Sequence, residues 1–283
     1  MSNLALVEPQ AAVLDADTAP TDRCFDIDCT LAYRVDGPSD FLLQIHALHG
    51  MDQQVLSETL RITPEMPVHV YADPNVAHRF MRLHVEAGEF ELHYQARVHR
   101  ALPVIDTAAP LMAIADLPDN VLHNLMPTRY CESDHLGRAA QKLFGAAGSG
   151  YERVQAVSDW IHDNVEYLLG SSQATTTAMN VFVQRAGVCR DFAHLGITFC
   201  RALNIPARLV VGYAKFDDPP PDFHAVFEAY VGGRWMLFDP TRMSPVDDLI
   251  RIATGRDAKD VAFATIFGPA TMLSMSPLIE PSG

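Results

Sequence analysis

The chain has 283 residues, enough for one large or two ordinary domains, and 48% of them are hydrophobic, ample for packed cores. Asp and Glu outnumber Lys and Arg by 35 to 21, a formal charge of -14. Binding to nucleic acid or to an anionic membrane depends on positive charge, so this balance argues against both as partners.

Residues 1–22 scatter Glu8, Asp15 and Asp17 among alanines and lack a basic segment followed by an apolar one. They read as a loose leader and not as a secretory signal. No apolar run in the sequence reaches the length of a membrane span. Five cysteines, at 24, 29, 131, 189 and 200, show no framework spacing, so free thiols and a cytoplasmic location are expected.

Residues 23–105 follow a period of two. Phe25, Ile27, Cys29, Leu31, Tyr33 and Val35 alternate with more polar neighbours, and Asp36-Gly37-Pro38-Ser39 marks a turn. Further strands are expected over 41–48, 54–62 and 68–72, with a hairpin of 80–87 and 90–98 around Gly88-Glu89. Many short strands separated by turns indicate an antiparallel β-sandwich-like domain. Residues 106–128 read as a linker; Pro103 precedes it, and Pro110, Pro118 and Pro127 punctuate it.

From 129 onward the pattern becomes helical. Ser133-Asp134 can cap a helix that ends near Phe144 and Gly145. Val154, Val157, Trp160, Ile161 and Val165 share one face of an expected helix over 151–167. A short helix is expected over 175–184. Another over 191–203 carries Phe192, Leu195, Phe199 and Leu203 in one stripe and is stopped by Asn204 and Pro206. Leu209 to Tyr213 reads as a buried strand, and 224–231 with 234–238 as a hairpin around Gly232-Gly233. The whole of 129–283 is therefore expected to form one α+β core.

Cys189 stands at the head of the 191–203 helix, after Gly187, which would let the chain turn sharply. A helix N-terminus favours thiolate over thiol, and its free N–H groups can receive a developing oxyanion. Arg190 adds positive charge nearby. A lone cysteine is more often an inert core residue. Cys200, beside Phe199 in mid-helix, and Cys29, on an alternating strand, fit that description; Cys189 does not.

The Gly232-Gly233 loop fixes a register. If it is a two-residue hairpin turn, Val231 opposes Arg234, Tyr230 opposes Trp235 and Val226 opposes Asp239. His224 lies on the same face as Val226, so His224 and Asp239 are diagonal neighbours with Cβ atoms about 7–8 Å apart or somewhat less. A carboxylate there can orient an imidazole, which can take a thiol proton. Glu228 is a rival carboxylate farther along the strand. Singly, a strand histidine and an Asp239-Pro240 turn are ordinary; with Cys189 in the same chain order, the combination points to a thiol nucleophile, a base and its orienting acid. His194 reads as a packing or surface residue, no zinc-ligand spacing is present, and Arg256–Asp260 reads as a solvated turn.

These segments resemble the transglutaminase-like superfamily, and more closely its bacterial members of cysteine-protease type. The likeness rests on Gly187-Val188-Cys189-Arg190-Asp191-Phe192-Ala193-His194, on Cys200-Arg201-Ala202-Leu203-Asn204-Ile205-Pro206-Ala207-Arg208 and on Gly212-Tyr213. It continues through Asp222-Phe223-His224-Ala225 and Trp235-Met236-Leu237-Phe238-Asp239-Pro240-Thr241. The resemblance implies a papain-like α+β catalytic core preceded by a β-rich domain. It also implies a Cys–His–Asp triad, at Cys189, His224 and Asp239 by motif position, that needs no metal or organic cofactor. Where the family commonly has Trp two residues after the histidine, this chain has Val226.

The expected activity is thiol-dependent amide-bond hydrolysis or acyl transfer through a thioester, on a peptide or protein substrate. The alternative is a non-catalytic interaction module on the same scaffold. Oligomeric state is left open by the sequence.

Overall fold

The computed structural model describes residues 22–50, 52–73, 78–216 and 218–282. The expected leader over 1–22 lies outside the described residues except for Asp22.

The alternation beginning at Phe25 produces β1 (Arg23–Val35), whose odd-numbered residues from Phe25 to Val35 are all buried. β2 (Ser39–Leu43) follows the turn at 36–38. It stops short of the expected Leu48 because residues 44–48 are taken up by the other half of the molecule. The Gln44 N–H donates to Phe263 O, the Leu48 N–H to Arg251 O, and the Tyr213 hydroxyl to Ile45 O at 2.6 Å. β3 (Gln53–Thr63), β4 (His69–Ala72), β5 (Arg79–Val85) and β6 (Gly88–Arg100) complete the N-terminal set.

Two short 3-10 turns lie in the expected linker, at Ile114–Asp116 and Asp119–Leu125. The linker is bound to the core: Tyr151 N–H donates to Ala109 O, and Gly232 N–H to Pro110 O. Then come α1 (Ser133–Phe144), α2 (Gly150–Asn164), β7 (Glu166–Tyr167), α3 (Ala178–Gln184), β8 (Ala186–Gly187) and α4 (Cys189–Ala202). The strands β9 (Ala207–Tyr213), β10 (His224–Val231), β11 (Arg234–Phe238) and β12 (Ile250–Gly255) follow, and β13 (Ala264–Phe267) and β14 (Ala270–Ser282) end the described chain.

Two four-stranded antiparallel sheets, ordered β14-β1-β6-β3 and β13-β2-β5-β4, build the N-terminal sandwich. A third antiparallel sheet, β11-β10-β9-β12, forms the second half, with α4 packed on β10 and α1, α2 and α3 on α4. The fold is thus the expected α+β class, a β-rich region followed by a helix-and-sheet core.

The division at 129–283 needs correction. β13 pairs with β2 and β14 pairs with β1 along its whole length, so the end of the chain returns to the first half. The physical reason is β1 itself: its side chains are buried on one face, and on the edge away from β6 its backbone groups need a partner. β14 supplies one. Its burial does not alternate cleanly, with Met272, Leu273 and Leu278 all exposed, so its sequence carries little period-two signal.

α4 is buried from Asp191 to Arg201 without interruption, the pattern of a central helix. Gly196 permits its close approach to β10: a Cβ there would stand 2.6 Å from the Phe227 ring. This contact seats the middle of α4 on the middle of β10.

Candidate active site

The hairpin forms in the expected register, Val231 opposite Arg234, Tyr230 opposite Trp235 and Phe227 opposite Phe238. Gly232 and Gly233 take the positive φ values of 57° and 81° that such a two-residue turn requires. His224 and Asp239 meet as a result: Nε2 lies 2.9 Å from Asp239 Oδ2. Asp239 is held in turn by Thr241, whose N–H and hydroxyl both donate to Oδ1, at 2.9 and 2.7 Å. Asp239 is therefore held between the imidazole and Thr241, and the Asp239-Pro240-Thr241 turn is what aims it.

The other ring nitrogen, His224 Nδ1, is buried and has no fully formed hydrogen bond among the described residues. The group it can reach is the Cys189 thiol, which acts on the imidazole electrostatically and as a hydrogen-bond neighbour. Burial alone would lower the His224 pKa, but the hydrogen bonds to Asp239 and to Cys189, with their negative charge, reverse this and raise it to about 10. Asp239 moves the other way: burial would raise it, and the bonds from His224 and Thr241 bring it below its ordinary value.

Cys189 is half-buried at the first position of α4, whereas Cys29, Cys131 and Cys200 are buried. Burial pushes the Cys29 and Cys131 thiols up to about 12 and the Cys200 thiol higher still, which makes them inert. Asp191 ties the helix start by accepting the Val188 N–H at 3.0 Å. Gly187 serves a different end from the expected sharp turn. It lies in β8 without a positive φ, and a Cβ on it would stand 2.8 Å from the Asp191 Cβ. The glycine admits the capping carboxylate. Arg190 is not a free charge: it pairs with Asp191 at 3.0 Å and donates to Ser172 Oγ and Gln173 O at 2.6 and 2.8 Å.

Cys189 opens onto a cleft of about 590 Å³. Tyr130, Gln173 and Arg190 line one part of it, and Phe223, Val261 and Phe263 another. His194 supports the rim from below. It is buried, its Nε2 accepts the Ala258 N–H at 3.1 Å, and its ring stacks on Tyr130 at 5.2 Å. Burial and the nearby Arg190 lower its pKa to about 3, so it is a neutral packing residue. The segment Arg256–Asp260 is more than a solvated turn. Asp257 is buried and accepts the N–H groups of Tyr130 and Lys259, at 3.2 and 2.9 Å. Glu228, the rival carboxylate, is occupied by Arg208 and Arg251 and does not serve His224. Among the described residues, no three His, Cys, Asp or Glu side chains converge as metal ligands would.

Two residues of the site were not identified in the sequence. The sequence pattern carries the expected helix over 151–167 through Tyr167. That helix ends at Asn164, and Tyr167 sits in a two-residue strand paired in parallel with β8, opposite Gly187. Its hydroxyl interacts with both the Cys189 thiol and the Cys189 backbone. Asp222, two residues before His224, lines the cleft, and burial raises its carboxyl above the ordinary range. The apolar spacing of the expected helix runs on through Val165 and hides the first; the second stands in a family-like segment without a role of its own.

Comparison with known proteins agrees with this architecture. The family described as "Transglutaminase-like superfamily" matches residues 137–240, and "Bacterial transglutaminase, N-terminal domain" matches 24–120. The crystal structure of a "Putative Cysteine Protease" from Cytophaga hutchinsonii superposes with a TM-score of 0.89 at 42% identity, over 93% of this chain and 92% of that one. A Mycobacterium leprae protein is 31% identical over 162 residues, 53% of this chain and 56% of that protein. A Mycobacterium tuberculosis protein is 32% identical over 124 residues, 39% of this chain and 40% of that protein. The chain thus spans about half the length of the curated relatives it matches.

Proposed function

The chain belongs to the transglutaminase-like superfamily, and from that premise we propose that it is a thiol-dependent amide-bond hydrolase acting on peptides or proteins. Cys189 is the nucleophile, His224 the base and acid, and Asp239 the residue that orients and charges His224. The observation that carries this reading is the His224 Nε2–Asp239 Oδ2 contact of 2.9 Å, which leaves Nδ1 toward a half-buried thiol at a helix start.

The chemistry follows from the charges. His224 holds its proton over a wide pH range because Asp239 stabilises the imidazolium. The Cys189 sulfur attacks the carbonyl carbon, an S–C bond forms, and the carbonyl π pair moves to oxygen. The pair returns, the C–N bond breaks, and His224 gives its proton to the departing nitrogen. A thioester remains. Water, deprotonated by His224, then releases the acid; an amine in place of water would give acyl transfer by the same steps. Hydrolysis is the simpler reading, since water is always present.

The test is the rate of iodoacetamide labelling against pH, with the labelled residue assigned by mass spectrometry, in wild type and His224→Ala. The expected result is rapid labelling of Cys189, faster than that of Cys24, and strong dependence on His224. Labelling of Cys189 no faster than that of Cys24 and indifferent to the substitution would defeat the proposal and leave an interaction module.

A further inference from the structure

β11 is an edge strand of the core sheet, paired with β10 on one side alone. In a hairpin closed by a two-residue turn, the residues flanking the turn bond to each other. Along the strands, bonded pairs then alternate with pairs whose backbone groups point outward. Val231 and Arg234 flank the turn, so Tyr230 and Trp235 form an outward pair, as do Glu228 and Leu237. The Tyr230 N–H follows this parity: it turns away from β11 and donates to Pro206 O at 2.8 Å. The N–H and C=O groups of Trp235 and Leu237 must likewise turn away from β10. Among the described residues, no backbone hydrogen bond reaches them on that side.

A trough runs along this free edge. Its first part, about 340 Å³, is lined by the unbroken run from Gly233 to Leu237. Strand side chains alternate between faces, so a hollow that touches every residue of the run lies along the edge and not on one face. Its second part, about 390 Å³, continues past Leu237 and Phe238 to Asp239. Ile105, Tyr151, Leu237 and Val246 line both parts, and Cys189 lines neither. Val104 and Ile105, in the segment after β6, give the trough an apolar wall although they are 56% and 45% exposed. Arg234, at the turn end, is half-buried and has no ion-pair partner among the described residues.

We propose that this trough is a docking site for an extended peptide segment of another protein, which adds to β11 as a fifth strand of the core sheet. The chemistry of the lining selects the occupant. Outward backbone groups at alternate residues are matched by the alternate N–H and C=O groups of an extended chain. An apolar molecule without donors or acceptors would cover these groups and leave them unpaired. Val104, Ile105 and Val246 receive aliphatic side chains at every second position of the segment. The charge of Arg234 is complemented by one acidic residue at the segment's end. β11 has five residues, so the paired segment is of similar length. The site is separate from the cleft at Cys189, and the inference stands whether or not Cys189 is a nucleophile.

The probes are two fluorescein-labelled hexapeptides of alternating valine and threonine, one with glutamate first and one with glutamate last. Binding to the full chain is read by fluorescence polarisation. The expected result is saturable binding of one of them, weakened roughly tenfold or more by Val104→Glu and by Arg234→Glu. Thermal melts establish that both variants are folded. Two further versions of the bound peptide carry N-methyl groups on its odd or on its even nitrogens. An added strand turns one set of N–H groups toward β11 and the other away. One methylated peptide should therefore bind like the parent and the other more weakly by roughly tenfold. Equal binding of the two would overturn strand addition. Absence of saturable binding, or binding indifferent to both substitutions, would overturn the site. Dimers in light scattering that Val104→Glu dissolves would overturn the proposal in favour of a second copy of this chain.

Discussion

Strand β10 carries two buried ionic clusters on one face, four residues apart, and they are built to opposite ends. At its start, His224 pairs with Asp239; farther along, Glu228 pairs with Arg208 and Arg251. Both are almost wholly removed from solvent, with His224 at 1%, Asp239 at 3% and Glu228 at 0% side-chain exposure. The difference lies in what remains unsatisfied. Glu228 has a cation on each oxygen, and Arg251 also reaches Asp52 of the first half of the molecule. His224 keeps one nitrogen for a thiol that opens on a cleft. Burial of charge by itself therefore does not identify a functional group here. A cluster with every partner filled joins two halves of a fold; a cluster with one position left open toward a thiol has room to exchange a proton.

Three changes test that contrast. The largest expected effect is on activity, from Asp239→Asn. The amide can still hydrogen-bond the ring, but it cannot stabilise the imidazolium, and turnover of an ester or peptide should fall by roughly 10⁴-fold. Steady-state kinetics on a variant with an unaltered far-ultraviolet spectrum reads this out. Retention of most activity would put Asp239 outside the machinery.

Glu228→Gln should show the reverse. It leaves Arg208 and Arg251 beside a neutral group in the interior, and breaking a buried pair in this way costs about 3–5 kcal/mol. Urea denaturation should detect the loss of stability, whereas Cys189 alkylation in the folded variant should proceed as in wild type. Slowed alkylation with little change in stability would mean the two clusters are coupled and the contrast is false.

The smallest effect is a pH dependence of stability. His224 is raised to about 10, above the ordinary value of 6.5. Its stabilising contribution is thus complete below 6.5 and is lost as the pH rises through about 10. Asp239 is lowered from 3.8, so its contribution is present above 3.8 and is lost as the pH falls through its depressed value. The stability difference between wild type and Asp239→Asn should accordingly be greatest between these limits and shrink as the pH approaches 10. A difference that is constant from pH 6 to pH 10 would show that the pair is not an ion pair.

The candidate site was legible in the sequence wherever its geometry is local. The Gly232-Gly233 turn fixes a hairpin register, and that register alone decides that His224 and Asp239 share a face. Apolar period and stop residues placed Cys189 at the head of a helix. Tyr167 was not legible, because its strand is two residues long and exists only through pairing with β8, 20 positions away, in the register Glu166↔Ala186 and Tyr167↔Gly187. Helical apolar spacing ran on past Asn164 and gave no sign of it. The return of β13 and β14 to the first half was hidden for a related reason: their pairing satisfies the backbone of β1 and β2, and backbone hydrogen bonds leave no mark on side-chain pattern.

By itself, then, the sequence determined the types of the first N-terminal strands and of helices α1–α4, the His224–Asp239 register and the family likeness, since each depends on spacing within one or two neighbouring elements. Only the tertiary structure decided that Glu228 is filled by Arg208 and Arg251 while His224 is left open to Cys189. It also decided that Gly187 exists to admit Asp191, and that the last strand completes the first sheet. These are contacts between residues far apart in the chain, set by close packing of α4 on β10 and by the need to pair buried polar groups, and no local pattern encodes them.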